Sequence, residues 1–150
     1  MATINMVTGG VSATRTKASQ SDLNKVFSMS RALVASEIIA ADTTATANGY
    51  IAVDDVVQAI FVPADMVLLK CCFKTVTAGT ATATCDIGKA GGQECDAAVA
   101  LDATAGTQVV STPADANADD FVAGDTVDVE FLTANCLIGS WILYILGWQC

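Results

Sequence analysis

From residue 56 onward the chain is a succession of short segments in which apolar and polar residues alternate. That period of two constrains the fold more than any other feature, because it is the repeat of a half-buried strand. In residues 80–87, Ala81, Ala83, Cys85 and Ile87 fall on one side, with Thr80, Thr82, Thr84 and Asp86 on the other. Residues 126–131 repeat the pattern with Val127, Val129 and Phe131 inward. Residues 66–76 set Leu69, Cys71 and Phe73 against Lys70, Cys72 and Lys74. Residues 56–62 are an apolar run closed by the turn signal Pro63-Ala-Asp65. Gly79 lies between two of these strands and suits a hairpin turn joining them. Residues 94–110 read as a loop with one strand near 108–111, and residues 137–146 close the series, apolar on both faces. Strands at this spacing predict an all-β chain, a β-sandwich or jelly-roll-like single domain.

The first 25 residues differ: they are rich in Ser, Thr, Gly and Ala and read as an extended N-terminal arm, with the sandwich occupying residues 26–150. Residues 21–34 fit either of two patterns. Leu23, Val26, Phe27, Ser30 and Val34 make a helical stripe behind a capping Ser or Asp, and a strand from Phe27 onward fits equally. Residues 31–39 are read as strand. Charge divides the chain in the same place. Before residue 42 four cations, Arg15, Lys17, Lys25 and Arg31, face two carboxylates, a net +2; over residues 42–150 three face fourteen, a net −11. A basic arm that docks, joined to an acidic body, is the reading this asymmetry supports.

Composition narrows function by exclusion. With a net charge of −9 the chain lacks the basic surface that general nucleic-acid binding needs. Hydrophobic residues at 53% and charged residues at 15% argue against disorder. The absence of histidine removes the commonest general base and the commonest zinc ligand. The start of the sequence lacks a charged segment followed by an apolar block, so no signal peptide is expected. The apolar run 136–148 is shorter than the ~20 residues of a membrane helix, so no membrane partner is expected. Six cysteines, at 71, 72, 85, 95, 136 and 150, show no C-x-x-C spacing. They read as reduced, small core hydrophobes made in a reducing cytosol.

Motifs that carry chemistry are nearly absent. Residues 115–120 match the first ligand positions of a calcium loop, but Asp120 stands where a sharp turn needs Gly and Thr126 where a bidentate Glu belongs. A solvated acidic loop is the reading. The stretch 88–92, Gly-Lys-Ala-Gly-Gly, lacks the order of a phosphate-binding loop and reads as a Gly-rich turn. No nucleophile–base pair and no paired carboxylates stand out. No enzyme activity, cofactor or metal is expected.

The aromatic residues gather near the end of the sequence. By alternation Trp141 and Leu143 face one way, and Ile142, Tyr144, Leu146 and Trp148 the other. One of these rows packs the core and the other is left as an apolar strip of the kind that marks an interface. Trp141, Tyr144, Leu146 and Trp148 are therefore the candidate oligomer interface.

Certain segments resemble a known family. Asp55-Val-Val-Gln-Ala-Ile-Phe-Val-Pro-Ala-Asp-Met-Val-Leu-Leu69, the alternating strand ending Cys85-Asp-Ile-Gly88, Ala123-Gly-Asp-Thr-Val-Asp-Val129 and the closing apolar strand are similar to small virion proteins of tailed bacteriophages, the capsid decoration (cement) and minor head proteins. The resemblance spans roughly residues 50–148. It departs at Lys89-Ala-Gly-Gly-Gln93, where relatives continue with further Gly and Asp, and in its cysteine content. The resemblance implies a β-sandwich on the outer surface of the virion that binds the major capsid protein lattice, as a homo-oligomer, commonly a trimer. Arg15, Lys17, Lys25 and Arg31 would then lie across acidic capsid surface. Other virion roles, a head fibre or a tail-associated receptor-binding module, use similar sandwiches, and a carbohydrate-binding module is the alternative from another class.

Overall fold

The computed structural model describes residues 3–5, 25–89, 95–111 and 120–149. Its strands are β1 (Thr3–Asn5), β2 (Lys25–Val34), β3 (Val56–Phe61), β4 (Met66–Thr77), β5 (Thr84–Gly88), β6 (Asp96–Ala100), β7 (Gln108–Ser111), β8 (Asp120–Phe121), β9 (Thr126–Leu132) and β10 (Ser140–Gln149). Two short helices, α1 (Ala35–Ala41) and α2 (Thr43–Asn48), lie between β2 and β3. The strands form two sheets. Sheet I runs β1-β3-β9-β5-β6 and sheet II runs β2-β10-β4-β7, with β8 pairing one end of β4. Among the described strands every pair is antiparallel except β1 with β3. The all-β, two-sheet expectation is met.

One core fills the space between the sheets. It takes Val57, Ile60, Cys85, Ile87, Val127, Val129 and Phe131 from sheet I, and Met29, Leu33, Leu68, Cys71, Phe73, Trp141, Leu143 and Ile145 from sheet II. Each large side chain buried this way contributes ~1.5–3 kcal/mol. Trp141 is the largest of them. Its ring stacks at 6.3 Å from Phe73, meets Phe131 edge-on at the same distance, and donates from Nε1 to the Leu101 carbonyl at 3.0 Å. Gly79 and Gly139 make room for it. A Cβ on Gly79 would lie 2.6 Å from Trp141 Cζ2, and one on Gly139 would lie 2.4 Å from it.

That contact, and not a hairpin, is why glycine stands at position 79. The strands on either side of it, β4 and β5, belong to different sheets, so the chain crosses the sandwich here. Residues 80–83 are turn, Ala81 is exposed, and the strand begins only at Thr84. The facing of β4 also differs from simple alternation. Gly147 pairs with Leu68 and Leu146 with Lys70, so Leu69 is the extra residue of a bulge. The bulge moves Leu69 off the inward row, which runs through Met66, Leu68, Cys71, Phe73 and Thr75. Strand β7 falls where the sequence put it, whereas β6 lies in a stretch read as loop.

Between residues 31 and 39 the strand reading holds only to Val34. Ala-rich α1 follows, burying Ala35 and Ile38. Helix α2 is capped by Asp42, whose side chain accepts from the Ala45 amide at 2.8 Å, and is stopped by Gly49 at φ 77°. Among the described residues no helix is long and apolar enough to cross a membrane.

Candidate functional site

The strands of the two sheets carry opposite charge. The five strands of sheet I hold four carboxylates, Asp86, Asp96, Asp128 and Glu130, and no cation. The four strands β2, β10, β4 and β7 hold four cations, Lys25, Arg31, Lys70 and Lys74, and no carboxylate.

On sheet I the core takes Cys85, Ile87, Val127, Val129 and Phe131, which turns Asp86, Asp128 and Glu130 to the other side. Asp86 stands directly opposite Glu130. Asp86 is buried and accepts from the Ala98 amide at 2.7 Å. Desolvation, followed by the charges of Asp54 and Asp86, pushes the Glu130 carboxyl above its ordinary range. At the rim, Lys89 pairs with Asp125 at 3.7 Å, bonds the Asp120 carbonyl and lies 4.7 Å over the Phe121 ring. A shallow hollow between Gln58, Lys89, Gly124, Asp125 and Thr126 adjoins it. No group of three or more His, Cys, Asp or Glu among the described residues is arranged to hold a metal ion.

On sheet II the outward row of β10 is Ile142, Tyr144, Leu146 and Trp148. Tyr144 and Trp148 are each 39% exposed; Leu146 between them and Ile142 before them are half-buried. Pairing extends this row sideways. Trp148 sits beside exposed Val26 and half-buried Val67, and Tyr144 beside Cys72, whose partner Val110 is 58% exposed. Lys70 pairs with Leu146 and Lys74 with Ile142, so two lysines flank the apolar strip along β4. On the other flank β2 presents Ser28 and Ser30, both exposed. An apolar centre with aromatic anchors and a polar rim is the anatomy of a protein interface.

The sequence-derived residues divide as follows. Tyr144, Leu146 and Trp148 lie together on this face. Trp141 does not: it is 1% exposed inside the sandwich, in phase with Leu143 and Ile145, and is a core residue unavailable to an oligomer contact. Arg31 is not part of an extended arm. It stands within β2, paired with inward-facing Leu143 and flanked by buried Met29 and Leu33, so it is half-buried at the edge between the sheets. Lys25 opens the same strand, paired with Gln149. Arg15 and Lys17 lie outside the described residues, as does most of the acidic loop 115–120 and of the Gly-rich turn after Lys89. The segment read as arm also supplies β1, which joins sheet I. Sequence reasoning missed Lys70, Lys74, Val26 and Val110 as members of the exposed face. Their common face follows from the pairing of distant strands.

No family model and no curated protein matches this sequence. Its fold does match solved structures over nearly its whole length. It is similar to a chain of the capsid of Ralstonia phage GP4, with a TM-score of 0.65 at 17% identity, covering 99% of this chain and 97% of that one. It is also similar to a chain of the capsid asymmetric unit of cyanophage Pam1, with a TM-score of 0.57 at 14% identity, covering 97% and 100% respectively. At these identities the likeness is one of fold, and the fold is one found in phage capsids.

Proposed function

We propose that this chain is a structural protein of a tailed-phage capsid, a decoration or cement protein that binds the outer surface of the capsid lattice as a trimer and stabilises the head. The observation that carries the reading is the apolar, lysine-flanked outer face of sheet II on a fold shared end to end with capsid chains. Tyr144, Leu146 and Trp148 form the contact between copies. The net charge of −9 gives the assembled particles like charge, which keeps them apart. Arg15 and Lys17 of the N-terminal segment, with Lys25 at its end, contact acidic capsid surface. Linking three such contacts in one oligomer multiplies weak single attachments through effective concentration. Cementing of this kind asks for surfaces and not for reaction chemistry.

The test is binding of the purified protein to undecorated, expanded capsids by co-sedimentation, with its solution mass measured alongside. Saturable co-sedimentation by an oligomer supports the proposal. A monomer that ignores capsids and is stabilised against heat by a sugar contradicts it, and would instead make Tyr144 and Trp148 a carbohydrate-stacking face. Deleting residues 1–25 is expected to abolish capsid binding and leave oligomerisation intact. Undiminished capsid binding by that deletion overturns the role given to the basic N-terminal residues.

A further inference from the structure

The fold brings together two cysteines that stand 24 positions apart in the sequence. Cys71 lies on the inward row of β4, in sheet II, and is 2% exposed. Cys95 stands immediately before β6, in sheet I, and is 3% exposed, with its amide donating to the Ile87 carbonyl at 2.9 Å. Cys95 is close enough to Cys71 to disfavour ionisation of its thiol. A second, independent contact fixes the same corner. Strand β7 sets Ser111 opposite Cys71, and the Ser111 hydroxyl donates to the carboxylate of Asp96, the residue next to Cys95. Both contacts join sheet II to sheet I. The other described cysteines are placed differently. Cys72 points to the outer face, Cys136 donates its thiol to the Ile138 carbonyl at 3.3 Å, and Cys85 is enclosed in the core.

We propose that Cys71 and Cys95 are the site of an inter-sheet disulfide, formed when the protein meets a small peroxide oxidant after synthesis as free thiols. The thiolate of one cysteine attacks an oxygen of hydrogen peroxide, giving a sulfenic acid and hydroxide, which takes up the proton released by the thiol. The sulfur of the second cysteine then displaces that oxygen, which leaves as water, and the S–S bond forms. Two thiols and one peroxide become one disulfide and two waters, a two-electron oxidation of sulfur. The Cys95 contact, burial and the neighbouring Asp96 charge all hold the Cys71 thiol well above the ordinary thiol range. The thiolate is therefore scarce, and the reaction is slow in a reducing compartment and cumulative outside one. The bridge closes the segment from β4 to β6 and pins the two sheets at one corner, independently of what the outer faces bind.

The experiment uses the full chain carrying Cys72→Ser, a substitution on the outer face that leaves Cys71 as the single cysteine of tryptic peptide 71–74. The protein is treated with hydrogen peroxide, remaining thiols are blocked, and the chain is cut with trypsin and an Asp-specific protease for mass mapping. A link between peptides 71–74 and 90–95 is expected, with a melting temperature raised by roughly 6–12 °C over the reduced form. Adding Cys95→Ser is expected to remove both the link and the rise. Recovery of Cys71 and Cys95 as blocked thiols or sulfinic acids, a link to any other cysteine, or the same rise without Cys95 overturns the proposal.

Discussion

The two sheets share one core and one strand architecture, yet their outer faces are opposites. Sheet I turns Asp86, Asp128 and Glu130 outward, with like charges directly across from each other, an arrangement that weakens a sheet. Sheet II turns outward a row of Ile142, Tyr144, Leu146 and Trp148 bordered by Lys70 and Lys74, and its four main strands carry no carboxylate. The difference teaches that the outer faces answer to different surroundings: one holds carboxylates that the fold itself buries, Asp86 and Asp128, and the other an apolar row suited to be covered by a partner.

Substitutions that exchange or erase this contrast test it. The largest effect comes from separating the two tryptophans of β10. Trp141→Ala empties the space between Phe73 and Phe131 and is expected to cost about 3–5 kcal/mol in chemical unfolding. Trp148→Ala on the outer face is expected to cost under about 1 kcal/mol in the isolated fold. Equal losses would mean that both faces of sheet II are core.

Next, Tyr144→Asp with Trp148→Asp gives sheet II the chemistry of sheet I. Association between copies is expected to weaken by about 30- to 1000-fold in sedimentation equilibrium, as loss of aromatic anchors does, while the far-ultraviolet spectrum is unchanged. An unaltered oligomer would place the interface elsewhere.

A smaller effect is expected at the crossing between the sheets. Gly79→Ala forces a Cβ against Trp141 and the Leu101 carbonyl, and destabilisation of about 1–3 kcal/mol should appear in thermal melts. A neutral result would contradict the close packing that holds Trp141 inside.

The smallest effect is electrostatic. Folding raises the Glu130 carboxyl above its unfolded value, so the fold favours the protonated form. The stability that Glu130 contributes is then present below the unfolded carboxyl range and is lost as pH rises through the raised folded value. Glu130→Gln is therefore expected to stabilise the protein at neutral pH by under about 0.5 kcal/mol, given solvent screening. The gain should vanish near and below about pH 4. A gain that persists in acid would point to packing instead of charge.

Strands whose partners do not perturb them were legible from sequence. Residues 126–131 alternate without interruption, and β10 shows its two rows in the order of its side chains. Features that depend on long-range pairing were not. The bulge at Leu69 reverses the facing of everything on one side of it, and nothing local in Leu68-Leu69-Lys70 announces it. The Gly79 crossing looked like a hairpin because a glycine between two strands suits both, and only the Trp141 ring distinguishes them. The α2 signals, Asp42 as a cap and Gly49 as a stop, were present in a stretch too short to show a helical period. Of the site, the row Tyr144, Leu146 and Trp148 could be read directly. Trp141 could not be separated from it, because alternation says which residues share a face but not which face meets the core. The charge contrast between the sheets became visible only once distant strands were known to be neighbours.

The proposed role requires that this fold attach to a capsid lattice through its own surfaces. The most direct measurement is cryo-electron microscopy of undecorated, expanded capsids mixed with saturating purified protein. Ordered density is expected at repeating positions on the outer lattice, fitted by the two-sheet sandwich with the outer face of sheet II buried against neighbouring copies. A bare lattice at saturation, or bound density with the Tyr144 and Trp148 face open to solvent, would contradict it.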